Sequence, residues 1–261
     1  MSLSILNNIT GLNASRQLGL TQMGLNQTIE RLTSGKRINK ASDDAAGLGI
    51  SNQLNTEVKV ADQGQRNAND GVSLLQVADG ALDTITNLLQ RQAELTQQAT
   101  TGTVDSNGIA NINAEYSKNN ATIKDILTST TFNGTSVFGN TAQITVGAFA
   151  KVDLQGALAS VTLSSTADAS TASELDNVKK DLQAVSTQRE TLGASEATLN
   201  SYSAVLGIQS QNLQAASSQI TDANIANEVV NLSKFQILNQ SGISALGKSN
   251  QSSQSVLALL Q

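Results

Sequence analysis

A mainly α protein is what the sequence predicts: a long antiparallel helical coiled-coil rod with a small β-hairpin region. Three observations carry that prediction. There is no Pro in 261 residues, so nothing forces a helix to break. Aromatic residues make up 2 % of a chain that is 39 % apolar, which favours narrow aliphatic seams between helices over a compact core. Between residues 178 and 220 apolar side chains recur at a strict seven, the period of a packed helix with one narrow stripe.

In chain order, the first helical segment is the weakest. Leu6, Ile9, Leu20 and Met23 fall on steps of three and four, but Asn13 and Arg16 fill the seam positions between them. Gly11, Gly19 and Gly24 interrupt the segment, each interior Gly costing about 1 kcal/mol relative to Ala. Residues 33–48 read as a connecting segment in which Gly35, Gly47 and Gly49 allow bends. Ser42, Asp43 and Asp44 then open the next helix as a cap followed by acidic residues in the first turn.

The second helix runs from about residue 49 to residue 100, on a seam of Leu54, Val58, Ala61, Ala68, Val72, Leu75, Leu82, Ile85 and Leu89, with one short step near Ala78. A shorter third helix carries Ile109, Ile112, Tyr116, Ile123 and Ile126. Residues 131–170 change character. Asn133-Gly134 between β-formers is a turn signal, and "AQITVGAF", "KVDL" and "SVTL" are short β-prone pieces with Gly147 and Gly156 as punctuation. The Ser/Thr/Ala-rich "SSTADASTASE" is a linker, and Thr171 with Glu174 supplies a capping-box start for the long helix.

That helix carries Val178, Val185, Leu192, Leu199, Leu206, Leu213 and Ile220. Leu182 begins a second seam row that Arg189, Glu196, Ser203, Ser210 and Ser217 then take over. A rod of roughly 60 Å with a single apolar row cannot stand alone, so residues 49–130 and 171–222 are expected to pack as an antiparallel three-helix bundle. At the far end Val229, Leu232, Ile243, Leu246, Leu257 and Leu260 keep a heptad frame whose gaps are Gln236, Asn239, Asn250 and Ser253. Residues 1–32 and 223–261 therefore read as segments too weak to fold alone that pair as a coiled coil when many copies pack together. Ordinary frayed termini are the competing reading.

The composition excludes much chemistry. With no Cys and no His, disulfides, thiolate nucleophiles, imidazole acid/base catalysis and most transition-metal sites are ruled out. A net charge of -5 gives no support to nucleic-acid binding. No apolar run reaches the length of a membrane span, and "MSLSILNNIT" lacks the charged leader and apolar core of a cleaved signal. Ser34-Gly35-Lys36-Arg37 lacks the paired glycines and the Lys-Ser/Thr ending of a nucleotide loop, and adjacent Asp43 and Asp44 point apart on a helix, so neither phosphate nor metal is expected there. Asn8-Ile9-Thr10 and Asn120-Ala121-Thr122 match a glycosylation pattern by chance on helical seams. No catalytic residue, metal or cofactor is expected. Two classes remain: a self-assembling structural subunit whose ends fold in the polymer, and a coiled-coil adaptor or membrane-active exported protein. A membrane-inserting protein should carry a strongly apolar or aromatic-rich helix, and none is present.

Six motifs resemble bacterial flagellins: "ERLTSGKRINKASDDAAGLGIS" (30–51), "RNANDGVSLLQVADGAL" (66–82), "TFNG" (131–134), "LGASEATL" (192–199), "SSQITDANIANEVVNL" (217–232) and "SVLALL" (255–260). The resemblance spans roughly residues 1–140 and 172–261. It implies a structural subunit that polymerises into the flagellar filament, secreted unfolded through the flagellar type III apparatus. Residues 1–32 and 223–261 would form the inner tube, 49–130 and 171–222 the rod of the outer tube, and 131–170 would stand in place of variable outer domains, giving a minimal flagellin with a smooth filament surface. Another type III-exported structural protein is the alternative. The implied partners are many copies of the chain, an export chaperone on the C-terminal segment, a filament cap and the hook-filament junction proteins.

Within that frame Gly35, Lys36, Arg37, Asp43 and Asp44 become an inter-subunit connecting segment, with Lys36, Arg37 and Lys40 placed to meet acidic groups on neighbouring subunits. Toll-like receptor recognition is also implied, through Arg91, Glu94 and Leu95 with Glu115. Gln92, Ala93 and Thr96 depart from the usual residues there, so that recognition is expected to be weakened.

Overall fold

A computed structural model describes residues 8–147, 150–165, 168–171 and 173–258, the side chains of 150, 253, 254 and 256–258 aside. Leu6 and Leu260 lie outside the described residues, and Leu257 lies in a helix without a described side chain. Five helices and four short strands follow one another: α1 (Ile9–Ser34), α2 (Ala45–Thr100), α3 (Ser106–Ser129), β1 (Thr131–Phe132), β2 (Thr135–Ser136), β3 (Gln143–Val146), β4 (Ala150–Asp153), α4 (Glu174–Thr221) and α5 (Ile225–Ala258). β1 pairs with β2 and β3 with β4, both antiparallel. The chain divides into two compact units: a terminal unit of Met1–Asn55 with Leu213–Gln261, and a central unit of Thr56–Asn212.

In the central unit the heptads do what their spacing predicts. Ala61, Ala68, Leu75, Leu82, Ile85 and Leu89 of α2 are buried together with Val178, Val185, Leu192, Leu199 and Leu206 of α4. Ile112, Tyr116 and Ile123 of α3 close the core. The polar half of the α4 seam is equally ordered. Arg189 holds Asp79 with two bonds (2.7 and 3.2 Å) and Asp83 with a third (2.9 Å). Glu196 accepts from Gln76 at 3.1 Å, Ser203 reaches Asn69 at 3.4 Å and Ser210 reaches Asp62 at 2.7 Å. Each rung after Arg189 lies a heptad from the next on both helices, so a shift of register breaks every one together.

The hairpins lean on small residues of α2. A Cβ on Gly64 would come within 2.5 Å of the Gly147 nitrogen, and one on Gly71 within 2.9 Å of Leu199 and 3.1 Å of Ile144. The β1–β2 turn has φ 49° at Asn133 and 78° at Gly134, the left-handed pair that a two-residue hairpin needs. "SVTL" is not a strand. Val161 is buried, and beyond Leu163 the Ser164 and Ser165 N–H groups donate to the buried Asp181 carboxylate at 2.7 and 2.9 Å, which serves the backbone in place of a ladder.

Two helix starts also differ from expectation. α2 begins at Ala45, four residues before the expected start, because Asp44 is its cap: the carboxylate accepts from the Gly47 N–H at 2.9 Å. Asp43 instead accepts from the Asn39 and Lys40 N–H groups at 3.0 and 3.1 Å, closing the preceding turn, and Ser42 caps nothing. α4 begins at Glu174. The Glu174 N–H goes to the Thr171 carbonyl at 3.1 Å, while the buried Glu174 carboxylate accepts from the Tyr116 hydroxyl at 2.7 Å.

Candidate assembly surface

The terminal unit is a two-helix pair, and its seam differs from the one the large aliphatic residues suggest. On α1 the seam runs through Gly11, Ala14, Leu18, Thr21, Leu25, Thr28 and Leu32 in threes and fours, with Gly24, Glu30 and Arg31 half-buried beside it. On α5 it runs through Glu228, Leu232, Phe235, Asn239, Gly242, Leu246 and Ser249, with Asn231 half-buried beside it. The two helices run antiparallel. Arg31 meets Glu228 at 3.4 Å, Gln22 accepts from Asn239 at 2.7 Å, and the Thr10 and Ser249 hydroxyls lie 3.0 Å apart. Small residues let the backbones approach: a Cβ on Gly24 would stand 2.6 Å from the Phe235 ring, and one on Gly242 3.2 Å from Leu18.

The expected assembly residues accordingly divide. Leu232 and Leu246 lie half-buried on the α5 seam. Ile9, Leu20, Met23, Val229 and Ile243 are exposed, by 48 % to 61 %. At about 100° per residue, Ile9, Leu12, Leu20 and Met23 form a stripe roughly opposite the α1 seam. On α5, Val230 and Ile237 face roughly away from the seam, and Ile225, Val229 and Ile243 flank it. The pair mixes Leu and Phe with small and polar residues in its seam and presents a second set of large aliphatics outward. The α1 seam was missed because it joins Leu18, Leu25 and Leu32 to Gly11, Ala14, Thr21 and Thr28, which carry little hydrophobic signal; the run of threes and fours through all seven was the signal.

The connecting segment is held within its own chain. The Arg37 N–H donates to the Thr221 carbonyl at 2.6 Å and the Ala223 N–H to the Gly35 carbonyl at 2.9 Å, bridging the α1–α2 connection to the α4–α5 connection. The Arg37 guanidinium donates to the Ile220 carbonyl at 2.8 Å, and Lys40 pairs with Glu30 at 2.8 Å, which raises the Lys40 pKa. Those two cations therefore have partners before any second copy arrives. Lys36 is exposed, and no described carboxylate pairs with it. The bends are also fewer than expected: Gly35 ends α1 at φ 70°, whereas Gly47 and Gly49 are helical. Gly47 serves packing, since a Cβ there would meet Asp44 at 2.5 Å and Ile38 at 2.8 Å.

In the central unit Arg91 bonds Glu115 at 2.8 Å and Glu94 at 2.9 Å on an exposed face, and both carboxylates raise its pKa, Glu115 most. Leu95 does not join them. It is 1 % exposed and packs in the core, so it corrects the expected receptor-contact set. No group of His, Cys, Asp and Glu among the described residues is placed to hold a metal ion.

Two family models match the chain: the bacterial flagellin N-terminal helical region over residues 5–143 and the bacterial flagellin C-terminal helical region over residues 175–260. The chain belongs to the bacterial flagellins. A flagellin of Halalkalibacterium halodurans is 36 % identical over 97 % of this chain and 98 % of that protein. Flagellin FlaB1 of Treponema pallidum is 32 % identical over 97 % and 98 %. B-type flagellin of Pseudomonas aeruginosa is 41 % identical over 61 % of this chain but only 34 % of its own length. Among solved structures, Bacillus cereus flagellin aligns at 25 % identity with a TM-score of 0.40, covering 57 % of this chain and 88 % of that one. As a flagellin, the protein is a structural subunit of the flagellar filament, an extracellular polymer of many copies.

Proposed function

We propose that the outward aliphatic stripes of α1 and α5 are the surfaces through which copies of this flagellin join, and that the terminal unit completes its core only in the filament. One observation carries this: on a two-helix pair Ile9, Leu12, Leu20, Met23, Val230 and Ile237 face outward, away from a seam in which Leu and Phe alternate with Gly, Ala, Thr, Asn and Ser. Large aliphatics on the outer faces of so small a pair have no packing partner in the described chain, and contact with further copies removes them from water. Residues 1–32 and 223–261 then belong to the inner tube, residues 33–48 connect it to the outer tube, and residues 49–130 and 171–222 form the outer rod. Residues 131–170 take the place of outer domains, so the filament is smooth. Secretion through the type III route, with an export chaperone, a cap and junction proteins as partners, accords with ends that are weak alone.

Met23→Asp and Ile237→Asp test this reading, because both side chains are already exposed in the monomer. Each variant should keep the monomer's helicity and melting temperature yet fail to elongate seeded filaments in electron microscopy. Normal elongation by both would sink the assignment.

Receptor recognition through Arg91, Glu94 and Glu115 is the one further reading that a specific observation supports, namely their exposed ion-pair cluster. Arg91→Ala should lower a Toll-like receptor reporter response; an unchanged response would remove that residue from the contact.

A further inference from the structure

The sequence offers a peroxide very little to attack. It holds no Cys, no His and no Trp, and two Met. Met1 lies outside the described residues, whereas Met23 stands on α1 and is 61 % exposed. Ile9, Leu12 and Leu20 share its outward stripe, each more than half exposed, and their hydrocarbon side chains are inert to such an oxidant. The Met23 thioether is therefore the one oxidisable atom among the aliphatic side chains of that stripe.

We propose that Met23 is a redox modification site that governs assembly: a peroxide converts its thioether to the sulfoxide, and a copy carrying the sulfoxide is refused by the growing filament. The proposal rests on the stripe reading, which makes Met23 a contact between copies. In the reaction the sulfur attacks one oxygen of hydrogen peroxide and the O–O bond breaks as an S–O bond forms. Sulfur gives up two electrons, and the other oxygen takes the proton and leaves as water. A flexible apolar side chain becomes a chiral, polar one, and covering it with another aliphatic face strips the new oxygen of water without returning a hydrogen-bond donor. The stripe lies roughly opposite the α1 seam, so the α1–α5 pair tolerates the added oxygen and the penalty falls on contacts between copies. Two thiols acting through a methionine sulfoxide reductase reverse the change, becoming a disulfide as the oxygen leaves as water. Neighbours shield the sulfur of a copy already incorporated, so oxidation acts on free copies and spares those in place.

Trypsin cleaves after Arg16 and Arg31, which puts Met1 and Met23 in separate peptides, so mass spectrometry reads each sulfoxide by itself. Monomers treated with hydrogen peroxide until Met23 is fully oxidised should keep their helicity and elongate seeds at least about fivefold more slowly than untreated monomers. Reductase with dithiothreitol should restore the rate as the Met23 peptide is repaired. Met23→Leu should elongate at the same rate before and after peroxide, whatever that rate is. In filaments Met23 should oxidise more than about tenfold more slowly than in monomers. Oxidised monomers that elongate at the untreated rate would overturn the proposal, as would filaments whose Met23 oxidises as fast as the monomer's. An equal loss of rate in Met23→Leu, or recovery that follows repair of the Met1 peptide instead, would also overturn it. A block by Met23→Asp alongside normal elongation by the sulfoxide would leave the stripe standing and remove the switch alone, whereas normal elongation by Met23→Asp and Ile237→Asp would remove both.

Discussion

The central unit hides most of its large aliphatic residues, whereas the terminal unit displays half of its own in outward stripes. In the central unit Leu75, Leu82, Ile85, Leu89, Val185 and Leu199 are all within 1 % of complete burial. In the terminal unit Ile9, Leu12, Leu20, Met23, Val230 and Ile237 are exposed by more than half, and the seam holds Gly24, Thr21, Asn239 and Gly242. Both units are made of long helices with heptad spacing. What differs is where the large side chains sit relative to the intrachain seam: the central unit covers most of them within the chain, and on the proposed reading the outward stripes of the terminal unit are covered by neighbouring copies.

The largest effect that sharpens this contrast is a cavity in the central unit. Leu82→Ala should cost about 2–5 kcal/mol and lower the melting temperature of the monomer, while Leu20→Ala, on an outward stripe, leaves monomer melting within about 0.5 kcal/mol of the parent. Next comes the close approach in the terminal seam. Gly24→Val puts a branched side chain where even a Cβ stands 2.6 Å from Phe235 and should weaken α1–α5 pairing by about 1–3 kcal/mol, read as lost helicity and slower assembly. Arg189→Met removes a clamp that is about one-third exposed and should cost about 1 kcal/mol of central-unit stability. Gly19 has nothing within 4 Å of a built Cβ, so Gly19→Ala should act in the opposite direction to Gly24→Val, raising α1 helicity by about 0.5–1 kcal/mol.

The smallest effect is one of pH in the connecting segment. The Asn39 and Lys40 N–H groups, in that order, hold the Asp43 pKa below its ordinary value. A depressed carboxylate contributes stability that is fully present above the unfolded-state pKa of about 3.9 and is lost as pH falls through the lower native value. Protection of the Asn39 and Lys40 amides, measured relative to their intrinsic exchange rates, should therefore hold from neutral pH down to about 4 and fall only below it. Asp43→Asn should abolish that step.

The central unit was legible because its seam is written in Leu, Ile and Val, whose period can be counted, and because Asn133-Gly134 admits one hairpin geometry. The terminal frame was misplaced for the same reason in reverse. Of the countable residues there, Ile9, Leu20 and Met23 mark an outer face and Val229 and Ile243 flank the seam, while the seam mixes Leu18, Leu25, Leu32, Leu232 and Leu246 with small and polar residues that carry little hydrophobic signal. Lys40 and Arg37 were assigned to neighbouring chains because sequence shows a charge without its partner; Glu30 and the Ile220 carbonyl reach them only once α1 and α4 end where they do. The burial of Leu95 follows from α2 turning its Gln92, Leu95, Thr96 and Ala99 face into the core, a rotation that a short motif does not report.

Hydrogen exchange measured by mass spectrometry on monomer and filament tests the central claim most directly. Peptides from residues 9–34 and 225–258 should exchange much faster than the central unit in the monomer and become strongly protected in the filament, while peptides from 75–95 and 178–206 stay protected in both. Terminal helices already as protected in the monomer as the central unit would contradict the account, because the α1–α5 pair would then be complete without its neighbours.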